Sequence, residues 1–207
     1  MEIIKNSISE FFDTKNYFDN AFVREQTSTR EDFLKILPKG SIGAEFGVFK
    51  GDLSKEILTL IKPKKIVLCD TWWNKYGDFY PDWGESTQFG KLETKTAYNM
   101  LLKNINKYKD KCNIIVGEST KTILQFPDKY FDWIYLNSSH NISDIVKELK
   151  ASSTKVKTAG YITGNSWIEK NNITNGLYRG IMEFCKDSSW KIMYVDNFGQ
   201  WCLRNIK

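Results

Sequence analysis

Gly43-Ala44-Glu45-Phe46-Gly47-Val48-Phe49-Lys50-Gly51 is the stretch on which the fold of this 207-residue chain turns. A short apolar run ends in glycines and a helix-period segment follows at once, the pattern of a buried strand feeding a crossover helix. Glycine is needed where a turn takes a positive φ or where backbone comes close to a ligand. The spacing is Glu45-x-Gly47-x-x-x-Gly51, which differs from the G-x-G-x-x-G of a dinucleotide loop. An acid two positions before the first glycine suits a cationic amino acid moiety better than a pyrophosphate.

Outward from this loop, short apolar runs predict strands over 42–46, 65–69, 113–116, 133–136, 161–163, 191–195 and 201–203. Between them lie single apolar stripes at helical spacing: Leu53, Ile57, Leu60 and Ile61; Ala97, Leu101 and Ile105; Ile142, Val146 and Leu149; Leu177, Ile181 and Phe184. A short helix is expected over 120–126. This alternation predicts an α/β protein with a mostly parallel seven-stranded sheet and helices on both faces. The last two strands are joined only by Asp196-Asn197-Phe198-Gly199-Gln200, too few residues for a helical crossover, so they must form an antiparallel hairpin. Upstream, Ile4, Ile8, Phe11 and Phe12 recur at helical spacing. A capping box from Ser28 to Glu31 opens a second helix that buries Phe33, Ile36 and Leu37 and stops at Pro38 and Gly40. Residues 1–40 are therefore expected as a helical extension packed on a core of 41–207, one structural domain overall.

Polar signals recur at the carboxyl ends of three successive strands, the edge where open α/β sheets bind ligands. The first is the glycine loop itself. The second is Asp70, twenty-three positions after Gly47, where a carboxylate can accept hydrogen bonds from both ribose hydroxyls. The third is Gly117-Glu118-Ser119, placed where an adenine edge would lie.

With these residues in view, the chain resembles the class I S-adenosylmethionine-dependent methyltransferases, and among them the macrocin O-methyltransferase-like group. The resemblance runs from about residue 41 to 203 and is most specific in the stretch 43–51. It implies the Rossmann-like class I methyltransferase fold, whose sheet ends in an antiparallel hairpin strand, and S-adenosyl-L-methionine as cofactor. It also implies that Glu45, Gly47, Phe49 and Gly51 hold the methionine side, that Asp70 takes the ribose, and that Thr71 and Trp72 flank sugar or base. Gly117, Glu118 and Ser119 would meet the adenine, and Asn137 would complete the cofactor pocket.

The fourth strand runs into Tyr135-Leu136-Asn137-Ser138-Ser139-His140, and His140 is the only histidine. Just past the central strand, an imidazole of pKa about 6.5 is suited to take a hydroxyl proton as general base. Related O-methyltransferases carry acids where Asn137, Asn165 and Ser166 stand, and bind magnesium there. Neutral amides and a hydroxyl hold that ion poorly, so no tight metal site is expected. Two readings follow: a metal-independent enzyme, or a fold that kept its cofactor and lost efficient catalysis. The long aromatic and glycine-rich loop over 71–84 is expected either to stack on a flat or sugar-like acceptor as a lid or to pack on the sheet edge and the N-terminal helices. O-methylation of a small polar acceptor, a sugar or glycosylated metabolite, is the expected reaction. A noncatalytic binding or interaction protein on the same fold is the alternative. A nucleic-acid methyltransferase fits less well, since Asn137-Ser138-Ser139-His140 lacks the Pro-Pro-aromatic motif of amino-directed base methyltransferases.

Bulk properties agree with one soluble domain. The chain is 41% hydrophobic and 14% aromatic, enough to close one core. Its net charge of +5 reads as lysines scattered over solvated helix faces, with no block of like charges to suggest nucleic acid. Cys69, Cys112, Cys185 and Cys202 have no C-x-x-C pair and no metal spacing, as expected of buried thiols in a reducing compartment. With no signal sequence and no apolar span, the chain is expected to be cytoplasmic, away from membranes. The expected partner is a small-molecule acceptor, with self-association left open.

Overall fold

A computed structural model describes residues 29–138, 142–167, 176–196 and 198–206. The strands are β1 (Ile42–Phe46), β2 (Lys65–Asp70), β3 (Cys112–Val116), β4 (Phe131–Leu136), β5 (Val156–Gly164), β6 (Trp190–Val195) and β7 (Trp201–Asn205). They form one sheet in the order β3-β2-β1-β4-β5-β7-β6. The five strands β3 to β5 run parallel, and β7 lies antiparallel to both β5 and β6. The sharp turn into β7 is held by Asp196, whose Oδ1 accepts from the N–H groups of Phe198 and Gln200, both at 2.9 Å.

Helices cover both faces. On one side α1 (Arg30–Leu34), α2 (Asp52–Leu60) and α4 (Thr94–Ile105) pack over Ile66, Leu68, Trp133 and Tyr135. On the other, α5 (Ser119–Ile123), α6 (Ile142–Lys155) and α7 (Gly176–Lys186) cover Ala44, Phe46, Val67 and Ile134. The period-two alternation of each strand divides its residues between these two cores. A groove of about 520 Å³ on the first face, lined in part by Ile36, Tyr161 and Met193, lies away from the carboxyl ends of the parallel strands.

Three local expectations need correction. The cap of α1 is Thr29, whose hydroxyl accepts from Asp32 N at 3.3 Å; Ser28, with the rest of 1–28, lies outside the described residues. β5 begins at 156 and not 161. Its first residues are irregularly paired, with register jumping between Phe131↔Val156 and Trp133↔Tyr161, and 156–160 carry too little apolar alternation to read as strand. The segment after β2 also carries structure of its own, α3 (Trp73–Tyr76) and a 3-10 turn at Gly84–Thr87.

The β1–β4 contact shows why its small residue is needed. Trp133 is fully buried, its indole N–H donates to Ser41 Oγ at 2.8 Å, and a Cβ on Gly43 would collide with its ring. Gly43→Ala is therefore expected to destabilise the fold by about 1–3 kcal/mol, the usual cost of overpacking a core, read as a lower denaturation midpoint at unchanged m-value.

Candidate functional site

Strand order reverses between β1 and β4, so the connections leaving their carboxyl ends run to opposite faces of the sheet, which in open α/β sheets defines the crevice where ligands bind. Gly47 and Asn137 meet there. Asn137 N donates to Phe46 O at 2.8 Å, and its side-chain amide donates to Gly47 O at 3.3 Å. Gly47 has φ +89°, and a Cβ on it would run into the Asn137 carbonyl, so this glycine is dictated by backbone meeting backbone. Gly51, at φ +79°, caps α2, and a Cβ there would lie 2.5 Å from Leu101 Cδ1 of α4.

Asp70 ties the glycine loop to the end of β2. Its Oδ2 accepts from Phe49 N at 2.7 Å and its Oδ1 from Thr71 N at 2.6 Å. The same peptide region is gripped from the other side, because Trp72 Nε1 donates to Phe49 O at 3.0 Å. Phe49 (φ +55°) and Trp72 (φ +36°) both hold left-handed backbone without being glycine, a cost of order 1–3 kcal/mol each that these bonds sustain. Gly117 N reaches back to Asp70 O at 2.8 Å, so β3's end joins the same network.

Two buried carboxyls flank this edge from opposite faces. Glu45 is fully buried; Ser54 Oγ of α2 donates to its Oε2 at 2.6 Å, and its Oε1 has no partner. Burial pushes the Glu45 carboxyl up to about 8, the Ser54 hydrogen bond opposing and the nearby Asp70 charge adding to the rise. Glu148 of α6 accepts from both Ser119 Oγ and Ser138 Oγ, the latter at 2.6 Å, and so links the loops after β3 and β4. Its Oε2 is buried and unpartnered, and burial again raises its pKa, against the two serine hydrogen bonds.

Above the loop, Phe49, Tyr76, Tyr80 and Trp83 pack as a ring cluster with neighbouring centroids 5.0 to 6.3 Å apart. Trp83 is 49% exposed and is flanked along the same loop by Phe79 at 51% and Phe89 at 63%. The cluster packs on the glycine loop through Phe49; Trp72, Trp73 and Tyr98 form a second group of rings, and one aromatic face stays open.

The structure gathers Gly47, Phe49, Asp70, Thr71, Gly117 and Asn137 at one edge, as the sequence suggests. Three expected contacts take other forms. Glu45 does not line the crevice, because strand alternation turns it onto α2. Trp72 is fully buried and cannot stack on a base. Glu118 points outward, paired with Lys121 at 3.0 Å, and the corner after β3 is instead shaped by Ser119 bound to Glu148. His140 lies outside the described residues. The sequence does not single out the pairing of Glu148 with Ser138; its one signal is an acid beside Ile145 and Leu149 within the apolar stripe of a helix.

No family model and no curated protein matches the chain. Solved structures do. Spermidine synthase of Thermotoga maritima is similar with a TM-score of 0.53 and 14% identity, over 82% of this chain and 53% of its own, so the chain spans about half of it. An rRNA methylase of Streptococcus thermophilus gives 0.58 at 11% identity, over 90% and 100% of the two chains. TrmK of M. capricolum, solved with S-adenosyl-homocysteine, gives 0.53 at 14% identity, over 88% and 70%. The fold is the Rossmann-like methyltransferase fold. At these identities the likeness is one of architecture alone.

The buried Glu45 makes stability depend on pH. With its native value near 8 and its ordinary value at 4.5, the folded chain holds an extra proton between those limits. Stability is thus full below about 4.5 and falls as pH rises to about 8, by at most about 1.4 kcal/mol per unit from this group. Glu148 acts in the same direction. Urea titrations from pH 5 to 9 should show this decline in the natural chain and a flatter profile in Glu45→Gln; parallel profiles would exclude the linkage.

Proposed function

We propose that the chain is an S-adenosylmethionine-dependent methyltransferase of the macrocin O-methyltransferase-like group that methylates a hydroxyl of a small polar acceptor, a sugar or glycosylated metabolite. The observation that carries this reading is the Asp70 clamp at the crevice of the sheet. Asp70 Oδ2 accepts only the Phe49 N–H, while Oδ1 accepts the Thr71 N–H and, at 3.4 Å, the Thr71 hydroxyl, so this half-exposed carboxylate retains acceptor capacity for a ribose hydroxyl at Oδ2 and, once the Thr71 hydroxyl rotates away, for a second at Oδ1. Gly47, Phe49 and Asn137 would border the methionine portion, and Thr71, Gly117 and Ser119 the nucleoside. The S-adenosyl-homocysteine bound to TrmK, which shares the fold, supports this cofactor.

When bound, S-adenosylmethionine would supply an electrophilic methyl on a sulfonium sulfur, which would leave as the neutral thioether with the electron pair of the broken carbon–sulfur bond. The acceptor hydroxyl must lose its proton as its oxygen bonds to that carbon, and His140, two positions beyond Ser138, is assigned as the base. The proton leaves on the imidazole. Asn137, Asn165 and Ser166 position by hydrogen bonding and are poor magnesium ligands, so the reaction is assigned no metal. The acceptor would lie against the open rings of Phe79, Trp83 and Phe89, which also keep water from the reacting centre. That loop, 71–93, carries four acids against two lysines, so it favours a neutral hydroxylated acceptor over a polyphosphate.

Calorimetric titration with S-adenosylmethionine and S-adenosyl-homocysteine, with magnesium and then with chelator, tests the core of this reading. Saturable binding indifferent to metal is expected, weakened about tenfold or more in Asp70→Ala. Absence of binding to either ligand would sink the proposal. His140→Ala is expected to lower turnover of hydroxylated acceptors by about 10² to 10⁴ while leaving cofactor affinity nearly intact. Cofactor binding without turnover on any acceptor would favour the noncatalytic alternative.

A further inference from the structure

The sequence suggests lysines dispersed over helix faces, but the strand order collects many of them elsewhere. Segments 39–41, 61–65 and 106–111 precede β1, β2 and β3, which are neighbours in the sheet and parallel, so all three segments reach the same amino-terminal edge. Backbone bonds tie the first two together, Gly40 N to Ile61 O at 3.4 Å and Lys64 N to Ser41 O at 2.7 Å. The third joins them where Cys112 pairs with Ile66. Adjacent strands are about 4.8 Å apart, so the three strand starts span only about 10 Å.

Seven lysines converge there: Lys39, Lys62, Lys64, Lys65, Lys107, Lys109 and Lys111, all exposed. The only acid within the three segments is Asp110. Since the whole chain carries +5, everything outside these segments is slightly negative. The neighbouring half of the same edge is built differently. There Lys155 pairs with Asp128 at 2.6 Å and Lys157 with Asp132 at 2.7 Å, whereas none of the seven is within ion-pair distance of an acid among the described residues. Like charges crowded without counter-charge cost free energy unless a polyanion meets them.

We infer that this edge is a nucleic-acid-binding surface that grips the phosphate backbone without reading sequence. Ammonium groups act as point charges and lack the planar fork that reads a base edge. A membrane fits less well, because none of the exposed large apolar side chains lies in the three segments to enter a lipid interface. The surface sits a strand length, about 20 Å, from the crevice at the carboxyl ends, so it tethers the protein and does not deliver an acceptor to Asp70.

Fluorescence anisotropy with a labelled single-stranded RNA and a DNA duplex, each across a salt series, tests this on the full chain. One variant combines Lys64→Ala, Lys65→Ala, Lys109→Ala and Lys111→Ala; a control of equal charge combines Lys55→Ala, Lys95→Ala, Lys150→Ala and Lys186→Ala. The edge variant is expected to bind RNA at least tenfold more weakly, with the slope of log affinity against log salt reduced by about three, while the control stays close to the natural chain. Affinity for S-adenosyl-homocysteine should be the same in all three. Equal loss in both variants, no binding by the natural chain, or binding to phosphatidylserine vesicles but not to nucleic acid would each overturn the inference.

Discussion

One carboxylate organises the ligand edge of this fold. Asp70 accepts the N–H groups of Phe49 and Thr71, and through them fixes the left-handed turn of the glycine loop and the exit of β2. A hydrogen bond to an ionised acceptor is stronger than one between neutral groups, which suits a position where two non-glycine residues hold costly backbone. Trp72 completes the grip from its buried indole, and Phe49 carries the loop's position into the ring cluster beside Trp83. The proposed cofactor cradle and acceptor platform are thus mechanically continuous through a single side chain.

Glu45 and Glu148 add a second constraint. Both are buried next to that edge, each satisfied at one oxygen and not at the other. Leaving a buried polar atom unpaired costs about 1–3 kcal/mol, more for a charge, so each group favours its neutral form. With its carboxyl raised to about 8, Glu45 keeps one additional negative charge away from the crevice at neutral pH, where Asp70 already supplies one, and burial pushes Glu148 in the same direction.

Much of this architecture is legible in the sequence because parallel strands buried on both faces read as continuous apolar runs. The glycine loop, Asp70 and Gly117 are also local signals, since a turn and a strand end declare themselves within a few residues. What escapes is decided by neighbours distant in the chain. Glu45 finds Ser54 and Ser119 finds Glu148 only once helices have docked, whereas Glu118 is drawn outward by its local i,i+3 pair with Lys121. The lysines before β1, β2 and β3 are separated by dozens of residues, and only strand order makes them one surface. Residues 156–160 fail for a different reason: strand pairing there is irregular and leaves no alternation to read.

The antiparallel ending also bears on how the chain can be assembled during synthesis. β6 has a single partner in the sheet, β7, which lies between it and β5 although it comes later in the sequence. A nascent chain halted after β6 would have five strands able to pair and a sixth with no docking edge, its apolar residues Trp190, Ile192 and Tyr194 lacking their strand neighbour. Closure of the sheet therefore waits for residues 201–205 to emerge, and the turn at Asp196 is the hinge on which it closes. Ordering of the ligand edge, by contrast, depends mainly on contacts made much earlier along the chain.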